Sequence, residues 1–293
     1  MEGSLLAAIG ARLGETLGRR ISLRQTQTVG GGCIHSAWRV GDGENSWFVK
    51  ANAADSADMF AAEADGLEAL ARTPLRVPRA LAHGAAKGKS FIVLEWLTLA
   101  TGAPQAYASL GEQLARMHLT AAAHFGWHRG NYIGATTQAN PPEDSWTRFF
   151  GRARLAPQLS LARANGHAAL HERGQALLQA LPRLLRGHAP RPALLHGDLW
   201  SGNAAFTAQG MPVVFDPAVY YGDREADLAM TELFGAFAPD FYAAYRAHAP
   251  LDPGYRMRKT LYNLYHILNH ANLFGGGYVA RADAMIERLL AEA

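Results

Sequence analysis

Two neighbouring stretches decide the fold: Leu194-Leu-His-Gly-Asp-Leu-Trp-Ser-Gly-Asn-Ala-Ala-Phe206 and Met211-Pro-Val-Val-Phe-Asp216. Their short apolar runs predict strands that end at residue 195 and cover residues 204–207 and 212–215. A turn at residues 208–210 joins the last two strands as a hairpin. The polar side chains between the runs are therefore expected at the ends of buried strands, a placement that suits work on a phosphate.

Three of these polar residues have the spacing of a phosphoryl-transfer site. Asp198 and Asn203 are five positions apart, as are the base and a metal ligand in a kinase catalytic loop, and Asp216 follows at the end of the hairpin. Phosphoryl transfer needs a carboxylate that accepts the proton of the attacking hydroxyl, and an Asn and an Asp that hold Mg²⁺. A single Asp in a loop often only caps its own turn. The combination favours the catalytic interpretation.

A glycine-rich bend is predicted near the N-terminus. It lies between strands over residues 21–29 and 37–40, and a third strand over residues 46–50 completes a meander. Backbone N–H groups of such a bend can approach phosphate oxygens closely. No Gly-Lys-Ser/Thr follows, so the bend is not a Walker loop. The glycines predicted to cover the phosphates are Gly30, Gly31 and Gly32.

Lys50 ends the third strand, at the position where kinases carry the lysine that contacts the α- and β-phosphates. Residues 58–71 have the apolar spacing of a helix, and Glu63 falls on its apolar stripe. An unpaired carboxylate there would be expensive to bury. We therefore predict an ion pair between Lys50 and Glu63; the alternative is a Glu at the stripe edge that reaches solvent.

The chain is predicted to divide where a strongly apolar strand ends in the connector 98–104. Residues 1–95 are expected to form an N-terminal lobe with an antiparallel sheet and one key helix, and residues 96–293 a larger, mainly helical lobe. We therefore expect an α+β, bilobal fold, arranged as in the kinases whose catalytic-loop spacing this chain shares. The backbone of Glu95, Trp96 and Leu97 is expected to present the donor and acceptor for adenine.

The composition bounds the class of protein. The chain has 293 residues, 49% of them hydrophobic and 18% charged, as in soluble globular proteins. No apolar run long enough for a membrane span and no signal peptide is evident, and one cysteine fits a reducing cytoplasm. The net charge of +3 is spread over scattered arginines, so no nucleic-acid partner is expected. Arg152 and Arg154 are interpreted as solvated helix positions.

Several other polar residues leave alternatives open. The aromatic loop of residues 125–134, with the amides of 138–140, could bind a sugar or simply pack. His118 is predicted to pack or cap rather than to catalyse, and Asp227 to accept backbone N–H groups of the catalytic loop. On the helix over residues 255–274, a stripe of Asn263, His266 and His270 either faces an acceptor pocket or bonds within the core. No third ligand near the two histidines supports a metal.

Three segments together resemble the fructosamine kinase (ketosamine 3-kinase) family, in the protein-kinase-like superfamily that also holds aminoglycoside phosphotransferases. They are His196-Gly-Asp-Leu-Trp-Ser-Gly-Asn203, Gly30-Gly-Gly-Cys-Ile34 and Leu268-Asn-His-Ala-Asn-Leu-Phe-Gly-Gly-Gly-Tyr278. The His-Gly-Asp core is shared by many small-molecule kinases. The Trp-Ser-Gly-Asn extension and the C-terminal segment are the specific parts, and the likeness runs from about Ile21 to Tyr278.

The resemblance implies an alcohol phosphotransferase that uses ATP and Mg²⁺ and acts on a ketosamine, such as a fructosamine or ribulosamine, free or on glycated protein lysines, in deglycation repair. By position, it assigns Asp198 as the base, Asn203 and Asp216 to Mg²⁺, and Lys50 with Glu63 to the phosphates. It places Trp200 and His270 beside the acceptor. Asp216-Pro rather than Asp-Phe-Gly, and Gly197 rather than Arg, argue against a protein kinase with a phosphorylation switch.

Alternatives to this function remain. The runner-up is a kinase for another small hydroxyl compound, such as an aminoglycoside or an amino alcohol, although the acceptor regions are not acidic. A catalytically inactive nucleotide-binding protein is the alternative from another class. Cys33, in the glycine-rich bend, is either a redox switch through an intermolecular disulfide or a small buried side chain. We expect a cytoplasmic monomer or homodimer with no membrane partner.

Overall fold

The computed structural model describes residues 1–30 and 35–293, which fall into two compact units. The first unit consists of Met1–Gly102 and Ala205–Asp216, and the second of Ala103–Ala204 and Pro217–Ala293. No helix in the described ranges is both long and apolar enough to cross a membrane.

The secondary structure follows the apolar periodicity of the chain. In chain order the strands are β1 (Gln25–Val29), β2 (Ser36–Gly41), β3 (Ser46–Ala53), β4 (Ala80–Ala86), β5 (Lys89–Glu95), β6 (Leu99–Ala100), β7 (Asn131–Ile133), β8 (Thr136–Gln138), β9 (Ala193–Leu195), β10 (Ala204–Thr207), β11 (Pro212–Val214) and β12 (Tyr220–Gly222). The α-helices are α1 (Gly3–Leu17), α2 (Ala57–Ala71), α3 (Pro104–Met117), α4 (Trp146–Phe149), α5 (Ala156–Ala164), α6 (Ala168–Leu184), α7 (Glu225–Thr231), α8 (Pro239–His248), α9 (Tyr255–Phe274) and α10 (Gly277–Ala291).

An antiparallel sheet forms the centre of the first unit. Its strand order is β1-β2-β3-β5-β4, so the predicted meander supplies its first three strands. Helix α1 buries Leu5, Ile9 and Leu13 in the same core as Val49 and Phe91 of the sheet, because these helix positions recur at intervals of four. The helix is capped at its C-terminal end by Gly18, which has a left-handed φ of 66°.

A second small sheet in this unit has the order β11-β10-β6. The hairpin of β10 and β11 is the one predicted from the deciding stretch, and it pairs with β6 through Phe206 and Ala100. This pairing explains why residues 205–216 belong to the compact unit that contains the N-terminal sheet, although they follow it by a hundred residues. The division of the chain into a lobe of residues 1–95 and a lobe of residues 96–293 stays a prediction.

The second unit is mainly helical, with α9 at its centre. Helix α9 buries eleven of its twenty residues and packs against α5, α7 and α10. Leu261, Leu264 and Leu268 of α9 share the core with Ile286 of α10 and Leu159 of α5. The long helix predicted over residues 255–274 is therefore confirmed, and it ends at Gly275.

The interpretation of Arg154 as a solvated residue is wrong. Arg154 is fully buried in a π-helical segment, Phe150–Leu155, that continues α4. Its guanidinium carbon lies 3.9 Å from the ring centre of Tyr220 and 4.7 Å from that of Phe149. One guanidinium nitrogen donates to Asn140 Oδ1 at 2.6 Å. Cation–π contacts and charge-assisted hydrogen bonds thus replace the water that this cation loses on burial.

Candidate active site

Lys50, Glu63 and Asp216 meet in the first unit. β3 carries Lys50 to the interior, where only 6% of the residue is exposed, and α2 presents Glu63 from its apolar stripe. Lys50 Nζ donates to Glu63 Oε1 at 2.7 Å and also to Asp216 Oδ1. The predicted ion pair of Lys50 and Glu63 is therefore confirmed, and Asp216 joins it as a second carboxylate.

The two carboxylates keep Lys50 charged. Burial by itself lowers the pKa of Lys50, but the charges of Asp216 and Glu63 outweigh it and raise the pKa above its ordinary value. Asp216 follows β11 with a φ of 57°, in the left-handed region that non-glycine residues seldom adopt. Its side chain is 44% exposed, so it can bond Lys50 and still meet a ligand from solvent.

His35 is a neighbour of this group that the sequence did not single out. Asn52 Oδ1 accepts the backbone N–H of Ala53 at 2.8 Å, which turns the amide nitrogen of Asn52 towards His35 Nδ1 at 3.0 Å. Nδ1 must then accept, so the ring proton lies on Nε2. Burial, followed by the charge of Lys50, lowers the pKa of His35 to about 4 despite the opposing charge of Asp216. Nothing in the sequence around His35, a single histidine beside a glycine-rich bend, indicates its contact with Asn52 or its place near Lys50 and Asp216.

The catalytic loop of the second unit is held from behind by Asp227. Asp227 Oδ2 accepts the backbone N–H of His196 at 2.8 Å, and Oδ1 accepts that of Gly197 at 2.9 Å. His118 Nε2 lies 3.2 Å from Oδ2, and His118 Nδ1 lies 2.8 Å from the hydroxyl of Tyr245. The structural roles predicted for Asp227 and His118 are confirmed.

Gly197 allows the chain to turn into the loop. Its φ is 82°, and a Cβ at this position would lie 2.1 Å from the carbonyl oxygen of Ala218. Ala218 in turn donates its N–H to His196 O at 2.9 Å, so this close approach is part of the loop. Any side chain here would collide with backbone rather than with a side chain that can move.

Asp198 and Asn203 are joined within the loop. Asn203 Nδ2 donates to Asp198 O at 2.9 Å and to Asp198 Oδ2 at 3.1 Å. Because both contacts are acceptors, the amide nitrogen must face Asp198, and the amide oxygen of Asn203 faces away from it. Amide and carboxylate oxygens are the ligands that Mg²⁺ takes in proteins. Asn203 carries one oxygen of this kind, and Asp216, in the first unit, carries two.

Trp200 and His270 both lie close to the ring of Phe234. The ring of Phe234 is 5.9 Å from that of Trp200 and 4.7 Å from that of His270. The ring of Tyr278 lies 5.1 Å from that of His270 on α9. Phe234 and Tyr278 thus belong to the same aromatic cluster, of which the sequence indicated only Trp200 and His270.

A family model described as Fructosamine kinase matches residues 5–292. The chain belongs to the fructosamine kinase family. A probable ketoamine kinase from Synechocystis is 48% identical over 96% of this chain and 96% of its own. A chloroplastic protein-ribulosamine 3-kinase from Arabidopsis thaliana is 41% identical over 94% of this chain and 85% of its own.

The fold agrees with this family. A crystal structure described as a fructosamine-3-kinase from Haemophilus somnus superposes with a TM-score of 0.89 at 30% identity, over 96% of each chain. The predicted fold class, α+β and protein-kinase-like, is confirmed.

In this member of the fructosamine kinase family, the aromatic loop near residue 130 packs rather than presenting its amides to a sugar. Asn131 Nδ2 donates to Val219 O at 2.7 Å, and Gln138 Nε2 and Asn140 Nδ2 both donate to Asn131 Oδ1. All three residues are buried. Of the two alternatives for this loop, the structure supports the packed one.

The predicted nucleotide site includes the backbone after β5 and the glycine-rich bend. The backbone N–H of Glu95 donates to Arg79 O at 2.9 Å, and its carboxylate bonds Arg76, so an adenine donor would have to come from the residues after it. Gly30 directly follows β1, and among the described residues no atom beyond its chain neighbours lies within 4 Å of where its Cβ would be. The predictions for Gly31, Gly32 and Cys33 concern residues outside those that the structure describes.

Proposed function

We propose that this protein is an ATP-dependent kinase that phosphorylates a sugar hydroxyl of a ketosamine, a fructosamine or a ribulosamine, free or on a glycated protein lysine. Membership of the fructosamine kinase family over residues 5–292 carries the proposal. The relatives named ketoamine kinase and protein-ribulosamine 3-kinase support this acceptor class. The reaction would serve deglycation repair, in a cytoplasmic monomer or homodimer.

Lys50 is assigned to the α- and β-phosphates of ATP. The ion pair with Glu63 supports this role, because it holds a buried ammonium in one place and in its charged form. We assign the glycines Gly30, Gly31 and Gly32 to covering the phosphates. The backbone of Glu95, Trp96 and Leu97 is assigned to adenine.

Asn203 and Asp216 are assigned as the ligands of Mg²⁺. Bound magnesium supplies neutralisation of the charge that develops on the phosphates. The amide oxygen of Asn203 is turned away from Asp198, and the carboxylate of Asp216 is partly exposed. Each residue thus keeps an oxygen for a hard cation.

Asp198 is assigned as the group that orients the acceptor hydroxyl and takes its proton. The loop that carries it is fixed by Asp227 and by the turn at Gly197, so the carboxylate is held before the substrate arrives. Trp200 and His270 are assigned to the acceptor sugar. Their aromatic faces suit the apolar face of a sugar ring or chain.

A panel of acceptors tests the function. ADP release would be measured with fructose-lysine, ribulose-lysine, an aminoglycoside and choline, each with MgATP. We expect turnover with one or both ketosamines and none with the other two. Turnover with the aminoglycoside or choline alone would refute the ketosamine proposal.

The variant Asp198→Asn separates catalysis from nucleotide binding. We expect turnover to fall by about three orders of magnitude or more, because the base is lost, while the affinity for ATP stays within about threefold. Asp240→Asn, the same change at an exposed position of α8, is the matched control and should retain full turnover. An Asp198→Asn enzyme with wild-type turnover would contradict the assignment.

A further inference from the structure

One face of α9 carries polar side chains of which the proposed function uses only the last. Lys259, Asn263, His266 and His270 follow one another at intervals of three or four residues, so they share a face of the helix. Lys259 Nζ bonds Glu232 Oε2 at 2.6 Å, and the ring of His270 packs on Phe234. Both ends of this face therefore meet the segment that follows α7, and Asn263 and His266 lie between them.

His266 lies beside the proposed base, at a distance that a third polar atom could bridge from one side. His266 Nδ1 is 3.9 Å from Asp198 Oδ1, too long for a direct hydrogen bond. If an oxygen lay about 2.8 Å from both atoms, the angle at that oxygen between Nδ1 and Oδ1 would be about 90°. A hydroxyl oxygen can form two hydrogen bonds at such an angle. A sugar hydroxyl suits this bridging position, because it can donate to the carboxylate of Asp198 and accept from the imidazole of His266.

His266 remains uncharged in this position. Burial lowers its pKa to about 3, with further lowering by His270 and Arg154 and an opposing effect of Asp227. Asp198 is the carboxylate that faces Nδ1. A neutral imidazole donates a hydrogen bond without neutralising the base, whereas an imidazolium at this distance would weaken the base.

Asn263 supplies an independent observation. Its side-chain oxygen is buried and has no hydrogen-bond partner among the residues that the structure describes, and the residue is 7% exposed. A buried acceptor without a partner lowers the stability of a fold, and such groups are rare. Asn269, six residues further along α9, shows the ordinary case, since both the oxygen and the nitrogen of its side-chain amide are hydrogen-bonded.

We propose that Asn263 and His266 bind the sugar of the acceptor: His266 donates to the hydroxyl that is phosphorylated, and Asn263 accepts from a neighbouring hydroxyl. The inference rests on the proposed function and deepens it. The hydroxyl oxygen forms the bond to the γ-phosphorus as the bond to the ADP oxygen breaks, and its proton passes to Asp198. His266 keeps its own proton throughout. An uncharged pair of this kind selects a neutral polyol rather than an ammonium group.

The test for Asn263 uses the isosteric variant Asn263→Leu. Removing an acceptor that has no partner should leave the midpoint of thermal unfolding unchanged or higher. The KM for the ketosamine should rise at least about tenfold, and the KM for ATP should stay constant. Asn269→Leu is the matched control: it should lower the unfolding midpoint, because it breaks two hydrogen bonds, and leave the KM for the ketosamine within about twofold.

The test for His266 compares a variant that cannot donate with one that can. His266→Phe should lower kcat by about 100-fold through a misplaced hydroxyl, and His266→Gln should recover at least about tenfold of that loss. Equal kcat in the two variants would overturn the role of His266. An unchanged ketosamine KM in Asn263→Leu, or a parallel rise in the KM for ATP, would overturn that of Asn263.

Calorimetric titration with fructose-lysine and ribulose-lysine separates this inference from the proposed function. Wild-type turnover with unaltered ketosamine affinity in Asn263→Leu would refute the inference alone. Binding to the wild type that is weakened in Asn263→Leu, without turnover, would support the inference and refute the kinase function. Absence of both binding and turnover in the wild type would refute both.

Discussion

Asp227→Asn tests whether the catalytic loop depends on one buried carboxylate. Asp227 is 1% exposed and accepts the N–H groups of His196 and Gly197 and a contact from His118. Burial alone would raise its pKa, but the contact with His118 and the N–H of Gly197 hold the pKa below the ordinary value. The carboxylate is therefore charged in the folded protein at neutral pH.

The cost of the substitution follows from these contacts. Asparagine keeps one oxygen, but its NH₂ group is a donor and must face an N–H that has lost its acceptor. A hydrogen bond to a charged group contributes about 1.5–3 kcal/mol, and a buried donor without a partner costs about 1–3 kcal/mol. We expect Asp227→Asn to lower the free energy of unfolding by about 3–5 kcal/mol, and turnover by about 100-fold through displacement of the loop.

Urea unfolding at pH 7 and steady-state ADP release measure both effects. Asp240→Asn, at an exposed position in the first turn of α8, should cost only a few tenths of a kcal/mol. A loss below about 1 kcal/mol in Asp227→Asn, with turnover like that of the wild type, would refute the reasoning. Since the pKa of Asp227 is depressed in the folded state, its contribution is present above the unfolded pKa and is lost as the pH falls below it.

Three further predictions follow from the site. Gly197→Ala should lower the free energy of unfolding by about 3 kcal/mol or more, because a Cβ would meet a carbonyl oxygen. Gly43 also has a positive φ but open space at its Cβ position, so Gly43→Ala should cost only about 1–2 kcal/mol. Similar losses for the two variants in thermal unfolding would disprove the steric reason. Glu63→Gln should raise the KM for ATP about tenfold and lower the free energy of unfolding by about 1–3 kcal/mol, because Lys50 loses a charged partner. A KM for ATP like that of the wild type would refute the role of this ion pair in nucleotide binding. The pKa of His266 is about 3 in the folded protein, so below about pH 6.5 the unfolded chain binds a proton there that the folded protein does not. The free energy of unfolding of the wild type should therefore fall by about 1.4 kcal/mol per pH unit more steeply than that of His266→Asn. Parallel pH curves of the two proteins in urea unfolding would count against this.

The apolar spacing of the chain predicted its helices and strands well, and the same spacing located two buried charges. Glu63 and Asp227 were recognised because each is a carboxylate on an apolar face, where it must have a partner. Arg154 is spaced four residues from Phe150 and eight from Trp146, so it lies on the same kind of face. Its charge led us to interpret it as a solvent-exposed residue. The spacing of Arg154 from Phe150 and Trp146 was the signal that it is buried.

Other features of the site depend on contacts that are distant in the sequence. The hairpin that ends at Asp216 belongs to the first unit because β10 pairs with β6, and no local pattern fixes that pairing. His35, just before β2, is held by Asn52 of the neighbouring strand β3, and its tautomer follows from the hydrogen bond between Asn52 and the backbone N–H of Ala53. Local propensity carries no information about such choices, because they are made by packing.

The surroundings of Arg154 have a consequence for the conditions that the second unit tolerates. Its cation is compensated by the rings of Phe149 and Tyr220, by the carbonyl of Ala139 and by the amide of Asn140. None of these groups ionises in acid, and burial raises the pKa of Tyr220 above its ordinary value even though Arg154 acts against it. Dissolved ions screen such buried contacts much less than exposed ones. The contacts of Arg154 itself should therefore change little with salt concentration or with acidification.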